Sequence, residues 1–351
     1  MTILLRPRDL DGLVDMKSAI DAVCEAYRGA TEFPVINAPR RRVHSPSGVR
    51  VSNCPGGVHA LGVIGSGTRA ELVRQTEGNQ HYDVRTHPVH VLNDSRTAEL
   101  LAIVLGEVTE KTLGPSSLMA FRTAATSGVG FRYLVSKDAR TVGLFGAGGQ
   151  AAYQLLALLV ERPSSSHVRL YSRNPENRRA FAEKYSRQFK VEIEPVGSAR
   201  EAVEPVDVVV CATSTNKVLF DGDWLHEGQH VTGIIGGNIQ LVQGGFLKES
   251  RRELDDRTAE RADVIATNLR ESVISERQGD LWIPIEKGLI KAEDIAELGE
   301  LAAGKRPGRT GPRQITYHKN NNGTGAADLA VTMLAYQQAR AAGRGIDIAM
   351  D

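Results

Sequence analysis

The sequence predicts an α/β chain whose centre is a parallel sheet covered by helices on both faces. Three observations carry this. From Ala139 onward short apolar strands alternate with helix-length segments. Several of those strands are apolar throughout, as burial on both faces requires. A glycine turn, Gly146-Ala147-Gly148-Gly149-Gln150-Ala151, stands directly between the first of these strands and the first helix.

The elements follow in order. Asp15 caps a helix whose apolar positions Met16, Ile20, Val23 and Tyr27 recur at helical spacing. A Pro/Arg stretch over residues 33–46 comes next, then extended runs at 49–51 and 89–92. Residues 116–134 read as a helix whose Ala and Gly permit close packing. Thr141–Phe145 is a strand, 151–160 a helix, His167–Tyr171 a second strand, Pro175–Phe189 a charged helix and 191–194 a third strand. Glu201 and Ala202 begin a helical turn, 206–212 is a continuously apolar strand, and 230–235 is another that ends in Gly236-Gly237. An Ala-rich helix over 325–342 carries a polar tail.

Composition excludes several classes of function. A chain of 351 residues suits about two domains. Lys plus Arg number 43 against 42 for Asp plus Glu, a net +1, with none of the basic excess a nucleic-acid binder needs. At 41% hydrophobic and 24% charged, the chain has a soluble globular composition. Cys24, Cys54 and Cys211 lie far apart, so neither a disulfide framework nor a metal site is expected. The first residues lack the apolar core of a signal peptide, and the longest apolar stretch, 155–160, is too short for a bilayer. The expected compartment is the cytoplasm, away from membranes.

The glycine turn fits G-x-G-x-x-A in the strand–turn–helix context that gives the pattern meaning. Gly146 permits the tight turn, Gly148 lets the backbone approach a pyrophosphate, and small Ala151 lets helix and strand pack closely. With Gly149 and Gln150 these residues are assigned to a dinucleotide, its phosphates at the helix N-terminus. The fold is therefore of Rossmann type. The second strand ends Tyr171-Ser172-Arg173-Asn174, with Arg178 one turn on and no acid before Glu176. A guanidinium in place of the expected carboxylate suits a 2'-phosphate, which favours NADP(H), with NAD(H) as the alternative. Ser172, Arg173, Asn174 and Arg178 join the cofactor set.

At this point the chain resembles the ornithine cyclodeaminase/mu-crystallin family over essentially its whole length. The most specific piece is Arg122-Thr123-Ala124-Ala125-Thr126-Ser127; Gly279-Asp280-Leu281, Ala296-Glu297-Leu298-Gly299-Glu300 and residues 318–328 also match. The resemblance implies a Rossmann domain, residues 119–315, inserted into a mixed α+β substrate and dimerisation domain of residues 1–118 and 316–351. It implies a homodimer. It also implies hydride transfer between a nicotinamide cofactor and an amino-acid-like small molecule.

Residue by residue, the resemblance gives Arg122 the family's substrate-carboxylate clamp, and Arg41, with Arg42 close behind, the second such arginine. A planar two-pronged donor suits that anion. Thr123, Thr213, Ser214, Lys319 and Asn320 fall at cofactor positions. Two departures stand out. Ile64 is aligned with a lysine of the family's Gly-x-Lys pattern, with Arg69 nearby as a replacement in charge. Asn238 stands where the cyclodeaminases carry a catalytic Asp, and Asn cannot take up a proton as a carboxylate does. Asn238 then orients or hydrogen-bonds, and His44, two residues past the arginine cluster, is the candidate proton donor, with His59, His81, His87 and His90 also in the substrate half.

The expected function is an NADP(H)-dependent oxidoreductase acting on an amino-acid-derived imine or amine that carries a carboxylate. Two alternatives stand beside it. One is a deaminating cyclase with bound NAD; the other is a mu-crystallin-like binding protein with little catalysis.

Overall fold

The structure is a computed structural model describing residues 2–76, 79–236, 239–245 and 248–349. Two eight-stranded sheets meet along a central layer of helices. In chain order the strands of the first half are β1 (Thr2–Leu5), β2 (Arg41–His44), β3 (Val49–Val58), β4 (Val63–Thr76), β5 (Asn79–Arg85), β6 (Val89–Asp94) and β7 (Leu100–Leu105). A short hairpin of β8 (Glu107–Glu110) and β9 (Gly114–Ser117) follows. The second sheet holds β10 (Thr141–Phe145), β11 (His167–Tyr171), β12 (Glu192–Pro195), β13 (Val208–Cys211), β14 (His230–Gly233), β15 (Val264–Thr267), β16 (Ala296–Glu297) and β17 (Thr316–Lys319). The chain ends on β18 (Ile346–Ile348), which pairs antiparallel with β1. The polar tail is thus an edge strand of the first sheet.

The second sheet runs β12-β11-β10-β13-β14-β17-β15-β16, every pair parallel. All four residues of β13 are buried, which explains its unbroken apolar run. From β10 the chain passes to β11 on one side and later returns to β13 on the other. That reversal opens a crevice beyond the strands' C-terminal ends. Strand β17, placed at sequence level in the substrate half, pairs with β14 and β15 in this sheet, so the return to the first half comes after Lys319.

The first sheet is mixed, ordered β18-β1-β7-β6-β4-β3-β2 with β5 pairing β4. Helix α1 (Met16–Ala30) begins at Asp15, whose side chain accepts the Ser18 N–H at 2.9 Å, and buries Met16, Ile20, Val23 and Tyr27. Helix α2 (Leu118–Leu134), capped by Ser117, is buried along almost its whole length, its Ala and Gly keeping its surface low between neighbours. The C-terminal helix Gly325–Ala341 completes this layer against α1, β3 and β4. Among the described residues no helix is long and apolar enough to cross a membrane.

Candidate active site

A cavity of about 940 Å³ lies between the crevice of the second sheet and the inner face of the first. At one end stands the glycine turn. Gly146 has φ +106°, and an added Cβ would sit 2.4 Å from the Ala212 carbonyl oxygen, so backbone geometry demands glycine there. Gly148 is different: an added Cβ would meet no protein atom within 4 Å, and the residue lines the cavity. Packing does not require glycine at 148, whereas a diphosphate against the N-terminus of helix α3 (Gly149–Glu161) does. The residues present fit a dinucleotide.

Thr123, Gly149, Gln150, Ser172, Arg173, Asn174, Thr213 and Ser214 also line the cavity. Gln150 donates to the Ala120 carbonyl at 3.1 Å, pinning α3 to α2. Asn174 accepts the N–H groups of Glu176 and Asn177, capping α4 (Pro175–Phe189), and Asn177 reaches the cavity as well. A shallower pocket outside the strand end is formed by Arg173, Asn174, Pro175, Glu176 and Arg179.

Ala151 is fully buried, as the close packing of helix and strand asks of it. Three cofactor assignments need correction. Arg178 folds back to donate to the Ser172 carbonyl at 2.7 Å, bracing the loop rather than lining the cavity. The Lys319 ammonium is buried on the Asp280 carboxylate and the Ile235 carbonyl, tying β17 to the end of β14. Asn320 turns into α2, donating to the Thr123 carbonyl and the Ser127 hydroxyl, each at 2.8 Å. Its neighbour Asn321, at φ +72°, is the one that reaches the cavity.

The other end is lined with guanidinium groups. Arg122 is 3% exposed; its Nε donates to Asp328 at 2.6 Å and its Nη1 has no hydrogen-bond partner. In the arginine trio the period-2 alternation of an extended strand decides the outcome. Arg41 points outward and is exposed, while Arg40 and Arg42 face the cavity and share Glu276 at 3.0 and 3.7 Å. Arg41, assigned to the substrate from the sequence, therefore does not reach the cavity, and its two neighbours line it instead.

The lysine position is corrected in the same way. Ile64 is 47% exposed on the far side of the sheet, whereas Arg69 lines the cavity. Among the described residues the Arg69 side chain makes no hydrogen bond, and burial lowers its pKa. Gly67-Thr68-Arg69 itself has the Gly-x-basic spacing, the signal that locates it. His44 does not line the cavity, which takes it away from the proton-donor role expected of it; burial, Arg50 and Arg42 push its pKa down. Asn238 lies outside the described residues, and Gly236 before it lines the cavity. Arg50, Tyr82 and Arg251, which had drawn no notice in the sequence, line it too. They sit on strands or loops whose inward register only the fold reveals.

The model of the ornithine cyclodeaminase/mu-crystallin family matches residues 5–343. A Delta(1)-pyrroline-2-carboxylate reductase of Bacillus cereus is 30% identical over 82% of this chain and 80% of its own length. An uncharacterized cyclodeaminase of Sinorhizobium fredii is 35% identical over 68% of this chain and 69% of its own. Among solved structures, the Delta(1)-pyrroline-2-carboxylate reductase of Thermococcus litoralis in complex with NADH and L-proline superposes with a TM-score of 0.80. The two are 27% identical, over 99% of this chain and 100% of that one.

Proposed function

The chain belongs to the ornithine cyclodeaminase/mu-crystallin family, and from that premise we propose that it is a nicotinamide-dependent oxidoreductase of carboxylate-bearing imines. It reduces C=N to CH–NH or runs the reverse oxidation. The observation that supports this reading is one continuous cavity with a dinucleotide-fitting glycine turn at one end and buried guanidinium groups at the other. The similar reductases of Bacillus cereus and Thermococcus litoralis are named for this chemistry.

When bound, the nicotinamide supplies the hydride that the imine carbon accepts, and a proton completes the amine at nitrogen. The chain's own residues bind and orient. Gly148 and the first N–H groups of α3 receive the diphosphate. Arg69 and Arg122 hold the substrate carboxylate, Arg122 kept in plane by Asp328. Low exposure strengthens these charged contacts relative to water. Arg173, at the strand end where an acid would bond a ribose, underlies a preference for NADP(H) over NAD(H).

Mixing the protein with cyclic ketimine carboxylates or 2-oxo acids plus amines, and following reduced-nicotinamide absorbance, tests the reading. We expect net NADPH oxidation. We also expect NADPH to bind more tightly than NADH by roughly 10- to 150-fold, the value of one charged hydrogen bond, and Arg173→Asp to erase that preference. Ammonia release without net absorbance change would indicate a deaminating cyclase. Tight cofactor binding without turnover over a broad panel would indicate a binding protein.

A further inference from the structure

We propose that the substrate carries a second anionic group, held by Arg50, Tyr82 and Arg251, so that it is a dicarboxylic imine or amine. This rests on the imine-oxidoreductase reading above and names the substrate class of the same site.

The argument begins with strand register. Arg42 pairs with Ser52, and Ser52 with Arg69, forming one row across β2, β3 and β4 on the cavity face. Two residues along, Arg50 pairs with Glu71, and Tyr82 stands opposite Val73 beyond it. Same-face residues on one strand are about 7 Å apart, so the second row stands one step along the strands from the first. Arg69 and Arg122 serve the first row. The second has its own donors: an Arg50 Nη lies 3.5 Å from the Tyr82 hydroxyl, and Arg251 approaches the same residue from the opposite half of the molecule. Arg251 is fixed there by Asn216 at 2.5 Å and the Ser214 carbonyl at 2.8 Å. Arg50 is 4% exposed and Arg251 7%, so both charges are presented from a wall largely removed from water.

Charge points the same way. Among the described residues eight arginines line the cavity against two carboxylates, Glu71 and Glu107, with Glu276 and Asp328 behind the wall. Arg50 and Arg85 share the single carboxylate of Glu71. Burial, together with Arg40 and Arg50, pushes Arg42 down to about 9. Burial raises the Tyr82 phenol, yet Arg50 and Arg251 outweigh it and hold it below its usual value. A substrate with one carboxylate leaves much of this repulsion in place; a second anion between two guanidinium groups and a phenol hydroxyl relieves it.

The test separates the subsite from the chemistry. On protein loaded with NADP+, titrate succinate and propionate as inert di- and monocarboxylate probes, and in parallel assay NADPH-dependent reduction of dicarboxylic and monocarboxylic imines. We expect succinate to bind at least ~10-fold more tightly than propionate, and Arg50→Gln to cut the dicarboxylate-to-monocarboxylate ratio by at least ~10-fold in binding and in kcat/KM. Tyr82→Phe keeps the ring stacked under Arg85, 3.5 Å from its centroid, and should shift the ratio the same way if Arg50→Gln does not fold. Equal binding of the two probes, or ratios that neither variant moves, overturns the subsite and leaves the imine reading standing. Succinate preference with no imine reduced by either cofactor supports the subsite and overturns the imine reading instead.

Discussion

At Arg122 the guanidinium donates to Asp328 at 2.6 Å, with side-chain exposures of 4% and 0%. Removing that arginine strands a buried carboxylate, typically at about 3–5 kcal/mol, so Arg122→Ala is expected to lower stability along with turnover. Arg69 carries no such liability, because its side chain has no hydrogen-bonding partner among the described residues. Arg69→Met should therefore lower kcat/KM for carboxylate substrates by about 2–5 kcal/mol, some 30- to several thousand-fold, with the melting temperature held. An unchanged kcat/KM would remove Arg69 from the clamp. Much of this chemistry was legible in the sequence as residue types and less of it as exact positions. The run Arg40-Arg41-Arg42 announces a basic wall, but which members face inward depends on strand register, and that is set by pairing with Ser52 and Asn53 on the next strand. Arg50, Tyr82 and Arg251 carry no local signature, since two strands and a loop must converge before they share one space.

The glycine turn is the element whose role was most legible, because its meaning is local: strand, turn and helix are contiguous in sequence. It also offers a clean separation of folding from binding. Gly148→Ala is expected to leave thermal stability within about 1 kcal/mol, the cost of a methyl group that meets no protein atom, while weakening NADPH binding more than tenfold by filling the approach of the diphosphate. A parallel loss of stability, or intact affinity, would contradict the diphosphate placement. Legibility declines in the first half, where β2 to β7 pair antiparallel and register depends on contacts between strands, and in the second sheet where β15 and β17 enter through long connections. The adjacent central strands β14 and β17 create a pH dependence. His318 on β17 is pushed down to about 3 by burial and Lys319; burial, then Arg309 and His318, drive His230 on β14 well below its usual value. Each is neutral when folded and takes up a proton near pH 6.5 when unfolded. Their contribution is complete above that value and lost as pH falls, at about 1.4 kcal/mol per pH unit for each histidine. Urea midpoints measured from pH 7 to pH 4.5 should fall accordingly, and His318→Asn should flatten the slope; a midpoint independent of pH would refute this.

For the whole molecule, the two faces of the first sheet differ. The inner face holds the arginine rows, the cavity and the C-terminal helix. On the outer face the same alternation that turns Arg41 and Ile64 away from the cavity presents Val43 at 67% exposure, Ile64 at 47% and Val89 at 36%, with Val51, Val91 and Ile103 half-buried between them. Exposed apolar side chains of this kind, interspersed here with Asn53, Thr68 and Ser66 on the same face, suit association with another surface. The inner face is already filled by the chain itself. A second copy meeting this outer face through a two-fold axis would place its valines and isoleucines against their counterparts and leave both cavities open on opposite sides. We therefore expect a homodimer built through the first sheet, burying on the order of 1,600 Å² or more in total, with one cofactor per subunit. Light scattering at micromolar concentration should give twice the 38.0 kDa chain mass. Val43→Glu combined with Ile64→Glu, which puts two unpaired charges into that interface, should convert the dimer to monomer while NADPH binding persists, since neither residue reaches the cavity. A monomeric mass for the unmodified chain would refute the dimer, and a dimer untouched by the double variant would move its interface off this face.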